Sequence, residues 1–145
     1  MRLDRKGVVG LPLRLAMTFL ILSISVPAVM YMVDDLQEDS DLSLLRYEST
    51  RLSDTMTTAY YSGEGSVQTI SVSIKYNSSL VIGGEGKDAF CISILVDNQE
   101  KEKHYLERPS VRILNEQLHI SGNRTLQCRC VSVDGVYGVE VTVIA

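Results

Sequence analysis

An uncharged apolar run over residues 15–33 constrains this chain more than any other feature. Its sequence is LAMTFLILSISVPAVMYMV. As a helix it measures about 28 Å at about 1.5 Å per residue, close to the hydrocarbon thickness of a bilayer. We therefore predict a transmembrane helix at 15–33.

Charges of opposite sign flank this run. The residues before it include Arg2, Arg5, Lys6 and Arg14. The positive-inside rule then predicts residues 1–14 as a cytoplasmic basic segment, with the C-terminal part of a single-pass cell-membrane protein outside. Acidic residues follow the run at Asp34, Asp35, Glu38, Asp39 and Asp41. Because they lack the spacing of an EF-hand, we interpret them as a solvated flank rather than a Ca²⁺ site.

The outer part is acidic overall. It holds all but one of the chain's 18 acidic residues and 10 of its 14 basic residues. A phosphate backbone would repel such a domain, and no basic patch interleaved with aromatic residues is present. We therefore expect no nucleic-acid partner.

Three fates of the apolar run imply different mature proteins. An uncleaved signal anchor keeps Met1. A secretory signal peptide cut at Val26-Pro27-Ala28 leaves a soluble chain that starts at Val29. The third fate depends on Arg5-Lys6-Gly7-Val8-Val9, where a basic residue and a glycine precede aliphatic residues and a long hydrophobic helix.

This N-terminal arrangement, over about the first 35 residues, resembles the class III signal of archaeal type IV pilin-like proteins. The resemblance implies that a membrane peptidase cuts after Gly7 on the cytoplasmic side and makes Val8 the new N-terminus. The retained helix would then serve as anchor and assembly interface. Cleavage after Gly10 is the alternative. The fifth mature position, commonly glutamate in that family, is Pro12.

Residues 34–61 predict a helical stem, because apolar residues recur there at helical spacing and both Pro and Gly are absent. The acids and serines between Leu36 and Leu44 predict a break, with Ser40 or Asp41 capping a second helix. The recurring apolar residues are Val33, Leu36, Leu44, Leu45, Tyr47, Leu52, Met56 and Tyr60.

After the turn at Ser62-Gly63-Glu64-Gly65 the hydrophobic period becomes two, which predicts a mainly antiparallel β domain over residues 62–145. The fold class is therefore α+β: a transmembrane helix and helical stem followed by a β sandwich or a curved sheet packed on the stem. The predicted strands are 68–74, 80–82, 89–96, 103–106, 111–114, 117–121, 125–133 and 136–144.

Asp134-Gly135 predicts a two-residue hairpin turn, which fixes the register of the last two strands. Val133 then faces Val136, and Arg129 faces Glu140. The opposite face of this hairpin is apolar and consists of Leu126, Cys128, Cys130, Val139, Val141 and Val143.

The three cysteines leave two alternatives open: a disulfide from Cys91 to Cys128 or Cys130, or three buried thiols. A metal site is not expected, because structural zinc needs four ligands and the two histidines, His104 and His119, lack ligand spacing.

Two Asn-x-Ser/Thr sequons fall at predicted turns outside the membrane, at Asn77 and Asn123. In a cell-surface protein they are candidate glycosylation sites.

No enzyme chemistry and no cofactor are expected. Gly83-Gly84-Glu85-Gly86 lacks the following Lys-Ser/Thr of a phosphate loop, and no catalytic motif is visible. The favoured function is a pilin-like structural or accessory subunit of a surface filament or membrane complex, associating with other pilin-like subunits through its helix. The alternative is a single-pass, membrane-anchored binding or sensor module.

Overall fold

The structure, a computed structural model, describes the backbone of residues 5–145 and the side chains of residues 10–145. One long helix, α1 (Arg5–Tyr61), precedes the strands. The described residues confirm the predicted α+β class. The chain divides into two compact units, Met1–Ser40 and Asp41–Ala145, and we call the second unit the head.

Helix α1 is continuous, so the predicted break between Leu36 and Leu44 is wrong. Ser40 and Asp41 are helical residues and cap nothing. Serine and acidic side chains lower helix propensity by only tenths of a kcal/mol each, roughly, and neither glycine nor proline interrupts the stem. The helix also covers most of the predicted basic segment, since it begins at Arg5.

Two antiparallel sheets follow the helix. One is three-stranded with the order β1-β6-β7, and the other is four-stranded with the order β4-β3-β2-β5. The strands are β1 (Val67–Ser73), β2 (Ser78–Ile82), β3 (Cys91–Val96), β4 (Gln99–Tyr105), β5 (Leu118–Ile120), β6 (Asn123–Val133) and β7 (Val136–Val143), with a 3-10 helix at Gly86–Phe90.

The predicted register of the last hairpin is confirmed. Val133 pairs with Val136 and Arg129 with Glu140, around a turn whose Asp134 and Gly135 have φ of 52° and 80°. Cys128 and Cys130 point inward opposite Val141 and Val139, and all four are at most 1% exposed. Val143 departs from the prediction, since it is 37% exposed near the open end of the hairpin.

The β3–β4 connection differs from the prediction. β4 begins at Gln99 rather than at 103, because Asp97 and Asn98 form a tight turn with φ of 53° and 61°. Two successive left-handed residues are the geometry of a type I′ hairpin, which Asp and Asn tolerate. The preceding strand is shorter than predicted, since Ala89 and Phe90 lie in the 3-10 helix.

The predicted strand at 111–114 is also absent. Its Ile113 makes only an isolated parallel bridge to Val139 of β7. The Asn115 side chain continues this contact, donating to the Val141 carbonyl and accepting from the Val141 N–H, both at 2.7 Å. Gly138 makes the approach feasible, because a Cβ there would lie 2.5 Å from the Arg112 carbonyl oxygen.

The head has one hydrophobic core, to which the helix and both sheets contribute. The helix inserts Leu45, Leu52, Met56 and Ala59, all at most 3% exposed. Four of the apolar residues behind the stem prediction lie outside this core: Val33, Leu36, Leu44 and Tyr47 are 44–67% exposed.

The hairpin register predicts the effect of a charge on β7. Val141→Asp buries a carboxylate without a partner, which we expect to destabilise the head by about 3–5 kcal/mol. Thr142→Asp, on the exposed face one residue away, should change stability little. Thermal unfolding of the full chain in detergent, followed by circular dichroism, measures both, and equal effects would refute the register.

Truncation separates the two faces of the helix. Leu52→Ala should cost about 2–5 kcal/mol, since Leu52 is fully buried and a cavity would remain. Leu44→Ala, at a side chain 52% exposed, is the matched control and should cost far less. Denaturant unfolding of the two variants checks this, and a larger loss for Leu44→Ala would contradict the observed face.

Candidate functional site

The first candidate site is the exposed apolar part of α1, which we call the anchor segment, residues 11–33. All its residues are exposed, with large apolar side chains between 44% (Val33) and 73% (Tyr31). Its most apolar stretch has a mean hydropathy of 2.0, and by length and composition the helix can cross a membrane. An apolar surface of this extent requires a lipid or protein partner.

The polar groups of the anchor segment are largely satisfied within the helix. The hydroxyls of Thr18, Ser23 and Ser25 each donate to the carbonyl four residues earlier, at 2.7–2.8 Å. Such internal bonding suits a hydrocarbon environment, where no water replaces a missing partner. Arg14 is the segment's only charged residue and lies near its N-terminal end.

Gly7 and Val8, the predicted processing site, fall within the first turns of α1. Their side chains lie outside the described residues.

In the head, two ion pairs tie the helix to the β structure. Asp41 pairs with Lys75 of the β1–β2 connection. Arg46 pairs through two nitrogens with Glu102 of β4, and this hydrogen bonding lowers the pKa of Glu102. Exposed ion pairs stabilise little, so they orient the helix more than they hold it. Packing in the apolar core is what holds the helix against the sheets.

The inner face of the helix also buries polar groups. The Ser49 hydroxyl is fully buried and has no hydrogen-bond partner among the described atoms. Glu48 is nearly buried and pairs with Arg51 at 3.1 Å, one turn along the helix. An unsatisfied hydroxyl costs about 1–3 kcal/mol, which the surrounding apolar contacts must offset.

The second candidate site is a polar groove beside the 3-10 helix. Two cavities of about 650 and 150 Å³ share Asp88 and Gln117 in their walls. Gly83 and Gly84 shape this region, since a Cβ at either would lie 2.7–2.8 Å from Asn115 or Asp88. The charged residues around the groove are Glu85, Asp88, Glu100, Lys103, Arg112 and Glu116.

A small network lies in this groove. Lys103 Nζ is 3.1 Å from Asp88 Oδ1 and 3.7 Å from Glu100 Oε1. The hydrogen bond to Asp88 raises the pKa of Lys103, so the lysine stays charged. The groove presents charged hydrogen-bonding groups suited to a polar ligand. The described residues contain no group of three or more potential metal ligands.

Sequence reasoning did not bring these groove residues together. They come from β2, β3, β4, β5, the 3-10 helix and the connecting loops, and their spacing in the chain carries no periodic signal. The one sign in the sequence is the glycine run at 83–86, which by itself predicts only a loop.

All three cysteines are free and buried, which is the second of the two alternatives that the sequence left open. Cys91 lies on the groove side of β3, with its thiol 3.8 Å from Asp88 Oδ1. Cys128 lies in the hydrophobic core, and burial raises its pKa to about 12.

Both sequon asparagines are exposed. Asn77 lies in the turn before β2, and Asn123 is the first residue of β6. Its side-chain oxygen accepts a hydrogen bond from the Ser73 hydroxyl at 2.8 Å.

No family model matches this chain, and no curated protein or solved structure matches it.

Thiol labelling tests the state of the cysteines. Without reductant, we expect no reaction of the folded head with iodoacetamide at about pH 9, because the thiols are buried and Cys128 is protonated there. After unfolding, all three should react. A single reactive thiol after unfolding would indicate a disulfide, and rapid labelling of the folded protein would contradict the burial.

Proposed function

We propose that this protein is a pilin-like structural or accessory subunit of a cell-surface filament or membrane complex. Its anchor segment crosses the cell membrane once and packs against the same segment of neighbouring subunits. The observation that carries this proposal is an apolar helix exposed on every side and continuous with a helix that carries the head.

Charge supports the proposed orientation. Basic residues lie before the anchor segment and five acidic residues follow it by position 41, the asymmetry expected of a cytoplasmic N-terminus. Arg14 can extend its side chain to the inner headgroups, and Tyr31 suits the outer interface. The head would then lie outside the cell.

The Lys6-Gly7-Val8 arrangement supports a pilin-like rather than a plain anchor role. Cleavage after Gly7 would remove seven residues, three of them basic, and keep the whole anchor segment on the mature chain. The resemblance to class III signals implies an archaeal source. Pro12, where that family commonly has glutamate, means that subunit packing would depend on apolar contact.

Intact mass of protein extracted from native membranes tests this proposal. We expect a chain that starts at Val8. A chain that keeps Met1 would overturn the pilin-like function, and one that starts at Val29 would make the protein secreted and soluble.

Substitution of the glycines adds a matched control. Gly7→Phe should block processing and leave the protein in the membrane, whereas Gly10→Phe should leave the Val8 start unchanged. The reverse result would move the cleavage site to Gly10. The wild-type chain should also appear in filaments sheared from the cell surface, and its absence there would restrict it to a membrane complex.

The polar groove favours one alternative, a membrane-anchored binding or sensor module. Its charged network at Asp88 and Lys103 would bind a polar ligand, and the anchor segment would then hold a monomer. Cross-linking in native membranes discriminates the two functions, because only the subunit function predicts contacts between anchor segments.

A further inference from the structure

The chain crosses between its two sheets at one corner of the head. Strand β1 belongs to the three-stranded sheet, β2 to β5 form the other, and β6 returns to the first. The outward crossing is residues 74–77 and the return crossing is residues 121–122. We call these two segments, together with Asn123, the crossover corner.

Hydrogen bonds hold the two crossings side by side. The Ile74 N–H donates to the Gly122 carbonyl at 3.2 Å. The Ser73 hydroxyl donates to the Asn123 side-chain oxygen at 2.8 Å, and the two residues pair across β1 and β6. Gly122 has a φ of 71°, which a return in so few residues requires.

Each crossing ends at a sequon. Asn77 closes the outward crossing, and Asn123 follows the return crossing directly. Asn77 is four positions after Ser73, the partner of Asn123, so the two asparagines lie within about 20 Å of each other. Both are exposed, and Tyr76 beside Asn77 is 100% exposed.

We propose that the crossover corner carries two N-linked glycans, on Asn77 and Asn123. The inference rests on the proposed outward orientation of the head. The glycan donor is a lipid-linked oligosaccharide with a phosphate or pyrophosphate leaving group.

The transfer balances without a redox partner. The Asn Nδ2 bonds to C1 of the sugar while the C1–O bond to the lipid phosphate breaks. The amide loses one proton to a base, and the lipid phosphate leaves with the bonding electrons. At Asn123 the hydrogen bond from Ser73 engages Oδ1, so the reacting nitrogen lies outside that bond.

The position of the corner gives the glycans a role. β1 and β5 are outermost strands of their sheets, and β1 ends where β5 leads into the return crossing. Outermost strands invite pairing with other chains. Two hydrated glycans at this corner would oppose such pairing and cover Tyr76 and the adjoining cleft of about 590 Å³.

Peptide mass spectrometry of the full chain, purified from the cells that naturally produce it, tests the proposal. Trypsin yields residues 76–87 and 113–124, each with one of the two sequon asparagines. We expect both peptides to carry added sugar mass. Asn77→Gln and Asn123→Gln should each remove the mass from one peptide only.

Matched substitutions at the sequon hydroxyls leave each asparagine in place. Ser79→Ala and Thr125→Ala should abolish modification of Asn77 and Asn123, whereas Ser79→Thr and Thr125→Ser should preserve it. Modification that survives both alanine variants would overturn an N-glycosylation assignment.

Protease treatment of intact cells separates the failure of this proposal from that of the proposed function. If the head is cleaved from outside and both peptides are unmodified, the glycosylation proposal is wrong but the proposed membrane function is unaffected. A head protected inside the cell overturns both. Modified peptides on an accessible head support both.

Discussion

The insertion of one helical stripe into the core is the contact on which the head depends. Leu45, Leu52, Met56 and Ala59 fill the space next to the inner faces of both sheets. A three-stranded and a four-stranded sheet each need a covered apolar face to be stable. The helix contributes to one core shared by both sheets, so the head cannot be treated as a β domain that merely follows a stalk.

The same helix carries two different hydrophobic patterns. Residues 11–33 are apolar around the whole circumference, as a lipid or multi-helix environment requires. Residues 42–59 are apolar along one stripe, with Ser49 and Glu48 interrupting it. The hydrophobic pattern changes without a break in the helix. The side chains alone therefore suit one part of the helix to an apolar environment and the other to the core of the head.

The fold was predictable where short-range chemistry decides it. Asp134-Gly135 fixed a turn, and the alternation beside it placed Cys128 and Cys130 inside. The prediction failed where tertiary contacts decide: Ile113 contacts β7 without forming a strand, and helical spacing did not separate the exposed Leu44 from the buried Leu45. The polar groove also depends on tertiary contacts, because its residues are brought together only by the fold. An apolar helix long enough to cross a membrane was predictable at 15–33, because its length and composition can be recognised from the sequence alone.

The Asn115 side chain affects which edges of the two sheets are open to pairing with another strand. Its carboxamide occupies the N–H and C=O of Val141 on the outer side of β7, where an added strand would bind. The outermost strand of the other sheet, β4, is guarded differently, by four consecutive charges from Glu100 to Lys103. Strand addition is thus opposed at β7 by hydrogen bonds already made and at β4 by charge, whereas the other two outermost strands, β1 and β5, lie at the crossover corner. Heads that meet along β7 or β4 would therefore not join their sheets into one.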